Sequence, residues 1–191
     1  MQASLSDFVT ENFELGEEEH EMFQNHFQLE NVKKNEILLH SGEICNKLYA
    51  VSEGILRTFH TTKNGSEFTR LLVPEGKFCT ILMSFQERIS SPATIQALEN
   101  SVLYSITHAE FRKLISESAK AKNVYTHILE EFQNFQLSRL EFLTTLTPQE
   151  KVETFLTGNA DLEKRISDKV IASYLQITPE TFSRCRKKLR I

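Results

Sequence analysis

Residues 165–191 read RISDKVIASYLQITPETFSRCRKKLRI and predict two short helices joined by a tight turn. Apolar residues recur at helical spacing behind Ser167, a good N-cap residue, and this first helix is expected to end near Gln176. Thr178 can cap a second helix, and Pro179 can occupy its first position, where a missing N–H costs nothing. The stretch therefore predicts a helix-turn-helix.

The second predicted helix divides into an apolar side and a charged side. Phe182, Cys185 and Leu189 recur at three- and four-residue spacing and are expected to face inward. An outward arginine can bond a guanine edge through two hydrogen bonds, a glutamate can accept from a cytosine amino group, and lysines suit phosphates. A solvated basic face is the alternative interpretation, but the capped pair of helices favours DNA contact. The candidate DNA-binding residues are Glu180, Thr181, Ser183, Arg184, Lys187 and Lys188.

Within this stretch, IASYLQITPETFSRCRKKL resembles the helix-turn-helix of the Crp/Fnr family of bacterial transcription regulators, and the small members that open the second helix with T-P-E-T most of all. The resemblance implies that Glu180 and Arg184 read base edges. It also implies double-stranded DNA, a second copy of the chain and RNA polymerase as partners. Pro179 stands where many members have arginine, which implies a different operator. Gln176 stands where many have glycine, so the turn must form without the residue that most freely accepts a positive φ.

Charge is distributed unevenly along the 191 residues, whose formal net charge is −4. Residues 163–191 hold eight Lys or Arg against three Asp or Glu, which gives +5 and leaves −9 for residues 1–162. A basic end on an acidic body suggests that one end meets nucleic acid. The apolar fraction of 40% is ample for a packed core.

Residue spacing does not favour metal, cofactor or catalytic chemistry. Cys45, Cys79 and Cys185 are far apart, lack metal-ligand spacing and are predicted to be buried free thiols in a reducing cytoplasm. No cysteine precedes Cys45, which disfavours an iron–sulfur sensor. Neither a nucleophile–base set, nor a signal peptide, nor an apolar run of about 20 residues is found. The chain is predicted to be a cytoplasmic protein that is not an enzyme, with no cofactor, metal or membrane partner.

From residue 28 to about residue 107 the pattern changes to short apolar or alternating runs separated by turns, after two short helices expected over residues 5–27. Asn64-Gly65 is the strongest hairpin signal. About eight short strands at this spacing predict an antiparallel β-roll or small barrel. The runs are EILLH, KLYAVS, GILRTFHT, SEFTRLLV, KFCTIL, ATIQAL and VLYSI.

This strand region resembles the cyclic-nucleotide-binding jelly roll of the same family. The pattern K-x-E-x-L-x-x-x-G-E stands at residues 34–43, L-Y-x-V-x-x-G at residues 48–54 and E-G-x-F at residues 75–78. Glycines supply turns and apolar residues fill the roll, so the pattern identifies the fold better than it identifies a ligand.

The same resemblance bears on the effector. In members that bind cyclic AMP, a Gly-Glu pair holds the ribose and an Arg-Ser or Arg-Thr pair holds the cyclic phosphate. Thr80-Ile81 and Ser91-Pro92 stand at these positions, so the carboxylate and the cation are both missing. Arg88 could replace the cation only after a loop shift. An empty, plugged or differently liganded pocket is therefore expected rather than a response to cyclic AMP. The candidate pocket residues are Gly76, Phe78, Thr80, Ile81, Arg88 and Ser91.

Residues 120–145 form the longest helical pattern and contain neither glycine nor proline. Their apolar residues make two adjoining stripes, which predicts packing on the roll on one side and on a second copy of the helix on the other. An ordinary core helix is the alternative interpretation. The stripes comprise Val124, Ile128, Phe132, Phe135, Phe142 and Leu146, and Tyr125, Leu129, Phe132, Leu140 and Leu143.

The predicted fold class is α+β, with three regions in order. Residues 1–119 form N-terminal helices and a β-roll sensor-like domain, residues 120–146 a dimerisation helix, and residues 147–191 a helix-turn-helix domain with a short or absent wing. Thr147 to Glu150 have the pattern of a capping box that opens the last region. The predicted function is a dimeric DNA-binding transcription regulator. The alternative is a β-roll module that binds a small molecule, acts through protein contacts and keeps a vestigial DNA-binding tail.

Overall fold

A computed structural model describes residues 25–189 of the chain. The two short helices predicted over residues 5–27 therefore lie outside the described residues, except for residues 25–27. The chain divides into two compact units, the first made of residues 25–60 and 71–127 and the second of residues 61–70 and 128–189. The short segment 61–70 thus groups with the C-terminal helices.

The described part of the chain contains eight short strands in two four-stranded sheets. They are β1 Gln28–Val32, β2 Ile37–Leu39, β3 Lys47–Glu53, β4 Leu56–Thr61, β5 Glu67–Val73, β6 Phe78–Cys79, β7 Thr94–Ala97 and β8 Ser101–Thr107. One sheet has the order β1-β8-β3-β6 and the other β2-β7-β4-β5. The pairings of β8 with β1 and β3, and of β7 with β2 and β4, are antiparallel. This architecture confirms the predicted β-roll and adds β1, which none of the predicted runs covered.

The interior of the roll is filled by branched aliphatic side chains from both sheets. Val51 and Leu103 from one sheet and Leu56 and Ile95 from the other are completely buried. Full burial of such a side chain stabilises the fold by roughly 1.5–3 kcal/mol. Gly54 joins β3 to β4 with a φ of +96°, and a Cβ there would lie 2.2 Å from Ser101 Oγ. The short connection therefore depends on a residue without a side chain.

The hairpin between β4 and β5 forms where Asn64-Gly65 predicts it. Gly65 adopts a φ of +78°, its N–H donates to the Thr62 carbonyl at 2.9 Å, and the Thr62 N–H donates to the Ser66 carbonyl at 2.9 Å. The prediction is confirmed because the glycine supplies the left-handed backbone that the turn requires.

The run KFCTIL is a strand only at Phe78–Cys79, so a strand over the whole run was a wrong prediction. Helix α1, Leu82–Glu87, begins three residues later. The Phe85 N–H donates to the Ile81 carbonyl at 2.9 Å, and both side chains are buried on one side of this turn. Because the apolar residues Ile81 and Phe85 stand four apart, their burial favours a helical turn over a continued strand.

Six further helices follow in the described residues. They are α2 His108–Glu117, α3 Ala119–Thr145, α4 Pro148–Gly158, α5 Ala160–Arg165, α6 Asp168–Leu175 and α7 Pro179–Leu189. Thr107 caps α2 by accepting from the Glu110 N–H, and the predicted capping box of Thr147 and Glu150 opens α4. Helix α5 was not predicted, and an Asp161–Arg165 ion pair of 2.8 Å supports it. In residues 25–189, no helix combines the length and the apolar character that crossing a membrane requires.

Candidate DNA-binding surface

Helices α6 and α7 are joined by a turn that closes without glycine. Ser167 Oγ accepts from the Val170 N–H to begin α6, and Gln176 ends it with a φ of +54° and a ψ of +45°. The Ile177 N–H then donates to the Ala172 carbonyl at 3.1 Å and the Gln176 N–H to the Ser173 carbonyl at 3.3 Å. This is the Schellman arrangement, with glutamine at the position that glycine usually takes.

The start of α7 is capped as predicted. Thr178 Oγ1 accepts from the Thr181 N–H at 3.2 Å and also lies 3.2 Å from Thr181 Oγ1. Pro179 occupies the first helical position. The Thr181 hydroxyl is therefore engaged by the cap, which leaves it less free to meet DNA than its place in the sequence implied.

The inner side of α7 is apolar and packs on α4 and α6. Phe182 is completely buried and Cys185 is buried, and Ile171 and Leu175 of α6 are completely buried in the same unit. The predicted inward face is confirmed at Phe182 and Cys185, and Leu189 is half-buried. This packing holds the opposite side of α7 toward solvent.

The outer side of α7 carries the charged residues. Glu180, Arg184, Lys187 and Lys188 are exposed, and Ser183 is half-buried among them. These five residues, together with Pro179, line an open surface groove. The structure thus brings five of the six candidate DNA-binding residues to one surface, whereas Thr181 lies half-buried in the cap.

Glu180 is held at the beginning of α7. Its own backbone N–H and the Thr178 hydroxyl donate to the carboxylate and lower the pKa of Glu180 below its ordinary value. The lowered pKa favours the ionised form of the side chain. Glu180 therefore presents a negatively charged acceptor on the same exposed side of α7 as Arg184.

Arg186 has a different role from its basic neighbours. Its guanidinium bonds the Asp168 carboxylate through two parallel hydrogen bonds, one of 2.7 Å between Nη1 and Oδ1, and lies 5.1 Å from the centre of the Phe182 ring. The pair joins the last turn of α7 to the first turn of α6. Sequence spacing gave no sign of this bond, because the two residues stand 18 positions apart on separate helices.

The candidate effector residues lie within residues 76–91, a segment that contains β6 and α1 and that we call the effector loop. This segment is hydrogen-bonded to residues 41–47 of the roll. Thr80 Oγ1 donates to the Lys47 carbonyl at 3.0 Å. Arg88 donates from Nη1 to the Cys45 carbonyl at 2.7 Å and from Nη2 to Asn46 Oδ1 at 2.9 Å. Its backbone adopts a φ of +55° to end α1. The Arg88 guanidinium is thus engaged with protein acceptors.

Ser91, at the other end of the effector loop, is also hydrogen-bonded to the roll. Its N–H donates to the Glu43 carbonyl at 2.7 Å, and its carbonyl accepts from the Gly42 N–H at 2.8 Å. The buried Ser91 hydroxyl donates to the Ala93 carbonyl at 2.6 Å. Every polar group of Ser91 is therefore directed at the chain itself.

The remaining candidate pocket residues shape the approach to this loop. Gly76 turns with a φ of +77° and donates to the Val51 carbonyl at 3.0 Å, and Phe78 pairs with Ala50 in the β3–β6 ladder. Ile81 is buried immediately before α1. The structure brings Thr80, Arg88 and Ser91 together against residues 41–47. Gly76 and Phe78 instead lie beside β3.

The three cysteines are free and buried, as predicted. Burial, followed by the nearby Cys45, raises the pKa of Cys79 far above its ordinary value. Cys79 is therefore a protonated thiol of low reactivity.

Comparison with known proteins finds a domain family that matches the roll and regulatory proteins that resemble the chain. The cyclic nucleotide-binding domain family matches residues 29–118. The transcriptional activator protein Anr of Pseudomonas protegens is 25% identical over an alignment 165 positions long, which covers 80% of this chain and 66% of that protein. The anaerobic regulatory protein of Pasteurella multocida is 24% identical over an alignment 197 positions long, which covers 93% of this chain and 69% of that protein. The chain thus spans about two thirds of the length of these relatives.

Among solved structures, a regulator from Eubacterium rectale assigned to the Crp/Fnr family superposes with a TM-score of 0.72. Its sequence is 21% identical, and the match covers 93% of this chain and 84% of that one. At this identity the likeness shows the fold: a β-roll followed by a helical region with a helix-turn-helix. The chain is thus similar to the cyclic nucleotide-binding domain family over residues 29–118, to two regulatory proteins over most of its length, and in fold to a regulator of the Crp/Fnr family.

Proposed function

We propose that this chain is a transcription regulator that binds double-stranded DNA as a dimer and does not respond to cyclic AMP. The observation that carries the proposal is the outer side of α7, where Glu180, Arg184, Lys187 and Lys188 are exposed on a helix whose other side is fixed in a core. An α-helix of this kind fits the major groove of B-DNA. Both curated relatives are named as regulators, which agrees with this reading.

The charged residues divide between recognition and attraction. Arg184 reaches for a guanine edge and Glu180 for a cytosine amino group, and these contacts distinguish sequences. Lys187 and Lys188 meet phosphates, which adds affinity for any sequence. A contact with RNA polymerase belongs to the same proposal, because one relative is named a transcriptional activator.

A dimer is proposed because α3 presents apolar side chains to solvent in the single chain. Leu137 is 60% exposed and Leu140 is 61% exposed, and residues three apart are neighbours on a helix. A second copy of α3 would cover both, and two-fold symmetry would place the two α7 helices at half-sites about 34 Å apart. Leu140 belongs to a predicted stripe, whereas Leu137 was not predicted.

Insensitivity to cyclic AMP is proposed because the loop that would hold the nucleotide is fastened by protein groups. Arg88 bonds Cys45 and Asn46, and Ser91 bonds Glu43, Gly42 and Ala93. Releasing Arg88 for a phosphate would break two hydrogen bonds from a charged donor, each worth roughly 1.5–3 kcal/mol. Ile81 offers no acceptor for a ribose hydroxyl. Isothermal calorimetry with cyclic AMP at millimolar concentration should show no heat of binding, and micromolar affinity would contradict this part of the proposal.

The DNA proposal is tested by selecting duplexes from a random library and measuring affinity by fluorescence anisotropy at rising salt. Specific binding should be at least about a thousandfold tighter than binding to random duplex, and both should weaken steeply with salt. The double variant Lys187→Gln/Lys188→Gln should have a shallower salt slope by about 4, because the dimer carries each lysine twice. Binding that selects no sequence and ignores salt would instead favour the β-roll module with a vestigial DNA-binding tail.

A further inference from the structure

Arg139 is a buried cation in α3. It stands at a position where the predicted stripe from Phe132 to Leu146 has no apolar residue. It is only 8% exposed, its guanidinium carbon lies 3.7 Å from the centre of the Tyr174 ring, and it donates to the Tyr174 carbonyl. The Phe142 ring centre lies 5.4 Å from the same carbon. Burial of an arginine is costly unless its donors and its face find partners, so this placement is specific.

The bond to the Tyr174 carbonyl meets a need of α6. The last four carbonyls of a helix have no partner within the helix. In α6, Ala172 and Ser173 accept from the turn at Gln176 and Ile177, whereas the Tyr174 carbonyl accepts from Arg139. A cation at this end also interacts favourably with the helix dipole.

Ser173, the preceding residue, is held by the hairpin segment 61–70 of the same unit. Its Oγ accepts from the Thr69 N–H at 2.9 Å and donates to the Glu67 carbonyl at 2.8 Å. The Thr69 hydroxyl lies 3.1 Å from the same oxygen and can fill its second acceptor position. The Ser173 hydroxyl is therefore fully engaged with β5.

We propose that Arg139, Ser173 and Tyr174 with residues 67–69 form an α6 clamp that positions α7 for DNA. The clamp contacts α6 at the consecutive residues Ser173 and Tyr174. Tyr174 lies two positions before Gln176, where the chain turns toward α7. Because α7 follows α6 through a closed turn and packs on it, fixing the end of α6 fixes the direction of α7 relative to α3. Arg139 is thus a positioning residue rather than a DNA contact.

The consequence for DNA concerns spacing, and it rests on the proposed function. With α3 as the dimer helix, the clamp sets the separation of the two α7 helices and hence the half-site spacing that the dimer accepts. Loss of the clamp should leave each α7 able to read its half-site while the preferred spacing becomes less sharp.

The test uses the full chain and a panel of duplexes that carry two selected half-sites at separations around one helical turn. Arg139→Met keeps the aliphatic packing but removes the guanidinium, and Tyr174→Phe is the matched control because it keeps the ring and the carbonyl that Arg139 contacts. Arg139→Met should lose roughly tenfold at the best spacing, as expected for one charge-assisted hydrogen bond, with little loss at neighbouring spacings and an unchanged salt slope. Tyr174→Phe should keep the wild-type profile.

An equal loss of affinity at every spacing, or a wild-type profile for Arg139→Met, would overturn the clamp while leaving DNA binding in place. Absence of sequence-selective binding by the wild-type chain would overturn the proposed function, and the inferred spacing role with it. Hydrogen exchange without DNA provides the second readout, and Arg139→Met should accelerate exchange at Gln176 and Ile177 with α4 unchanged. Unchanged exchange at the turn would also overturn the clamp.

Discussion

Arg184 and Lys187 stand on the same exposed side of α7, but Arg184 is expected to contact a base and Lys187 a phosphate. Arg184→Ala should remove roughly 1–3 kcal/mol of discrimination at one base position, because a bidentate contact to guanine is lost. Lys187→Ala should weaken binding to specific and random duplexes alike, because a phosphate contact carries no sequence information. Anisotropy titrations on the selected operator and its single-base variants separate the two effects. Equal losses on specific and random DNA for both variants would refute the assigned roles.

Gln176 carries the backbone cost of the turn between α6 and α7. Its φ of +54° is a left-handed conformation, which costs a residue with a Cβ roughly 1–2 kcal/mol. Gln176→Gly should raise the free energy of unfolding, by less than about 1 kcal/mol because glycine also loses more entropy on folding. Gln176→Val should lower it by at least about 1 kcal/mol, because a β-branched residue tolerates this φ worst. Urea denaturation checks both, and a stabilising valine would show that the turn is not left-handed in solution.

At the scale of a helix, the capping box of α4 gives the clearest stability prediction. Thr147 Oγ1 accepts from the Glu150 N–H and donates to Glu150 Oε2 at 2.7 Å, and that oxygen also accepts from the Thr147 N–H at 2.8 Å. Thr147→Ala should cost about 1 kcal/mol at pH 7. Thr154→Ala, an exposed threonine within the same helix, is the control and should be neutral or slightly stabilising.

The same box has a defined pH dependence. Hydrogen bonds from the Thr147 hydroxyl, and then from its backbone, lower the pKa of Glu150 below its ordinary value of 4.5. A group with a lowered folded pKa contributes stability above its unfolded pKa and loses it as pH falls through the folded value. The difference in stability between wild type and Thr147→Ala should therefore shrink as pH falls below 4.5. Urea denaturation at pH 7 and pH 3.5 measures it, and a constant difference would contradict the role of the ionised carboxylate.

At the scale of the whole molecule, the proposed dimer depends on the exposed leucines of α3. The double variant Leu137→Glu/Leu140→Glu should sediment as a monomer in analytical ultracentrifugation and lose affinity for a two-half-site operator. Charged side chains cannot be buried there without partners. Met83→Glu is the control, because Met83 is 53% exposed on α1 and lies outside α3. A wild-type chain that sediments as a monomer, or a double variant that remains a dimer, would contradict the α3 seam.

Local sequence signals determined most of the elements of this protein. The caps at Ser167 and Thr147 and the Asn64-Gly65 turn act within four residues, so the sequence was enough to place helix starts and a hairpin. The alternation of apolar residues predicted the roll, because the strand period fixes which side chains face the core. The outer face of α7 was predicted for the same reason, since the helical period separates Phe182 from Arg184.

Only the tertiary structure decided which polar side chains bond to other segments of the chain. The sequence does not distinguish Arg139, Arg186 and Arg88 from one another. In the structure Arg139 stacks on Tyr174, Arg186 pairs with Asp168, and Arg88 bonds the Cys45 carbonyl. Their partners stand between 18 and 43 residues away, and no local period brings such residues together. The sequence therefore determined the elements and the exposed charged helix. Long-range packing decided how the effector loop is fastened and how α6 is held, because those contacts depend on where distant segments meet.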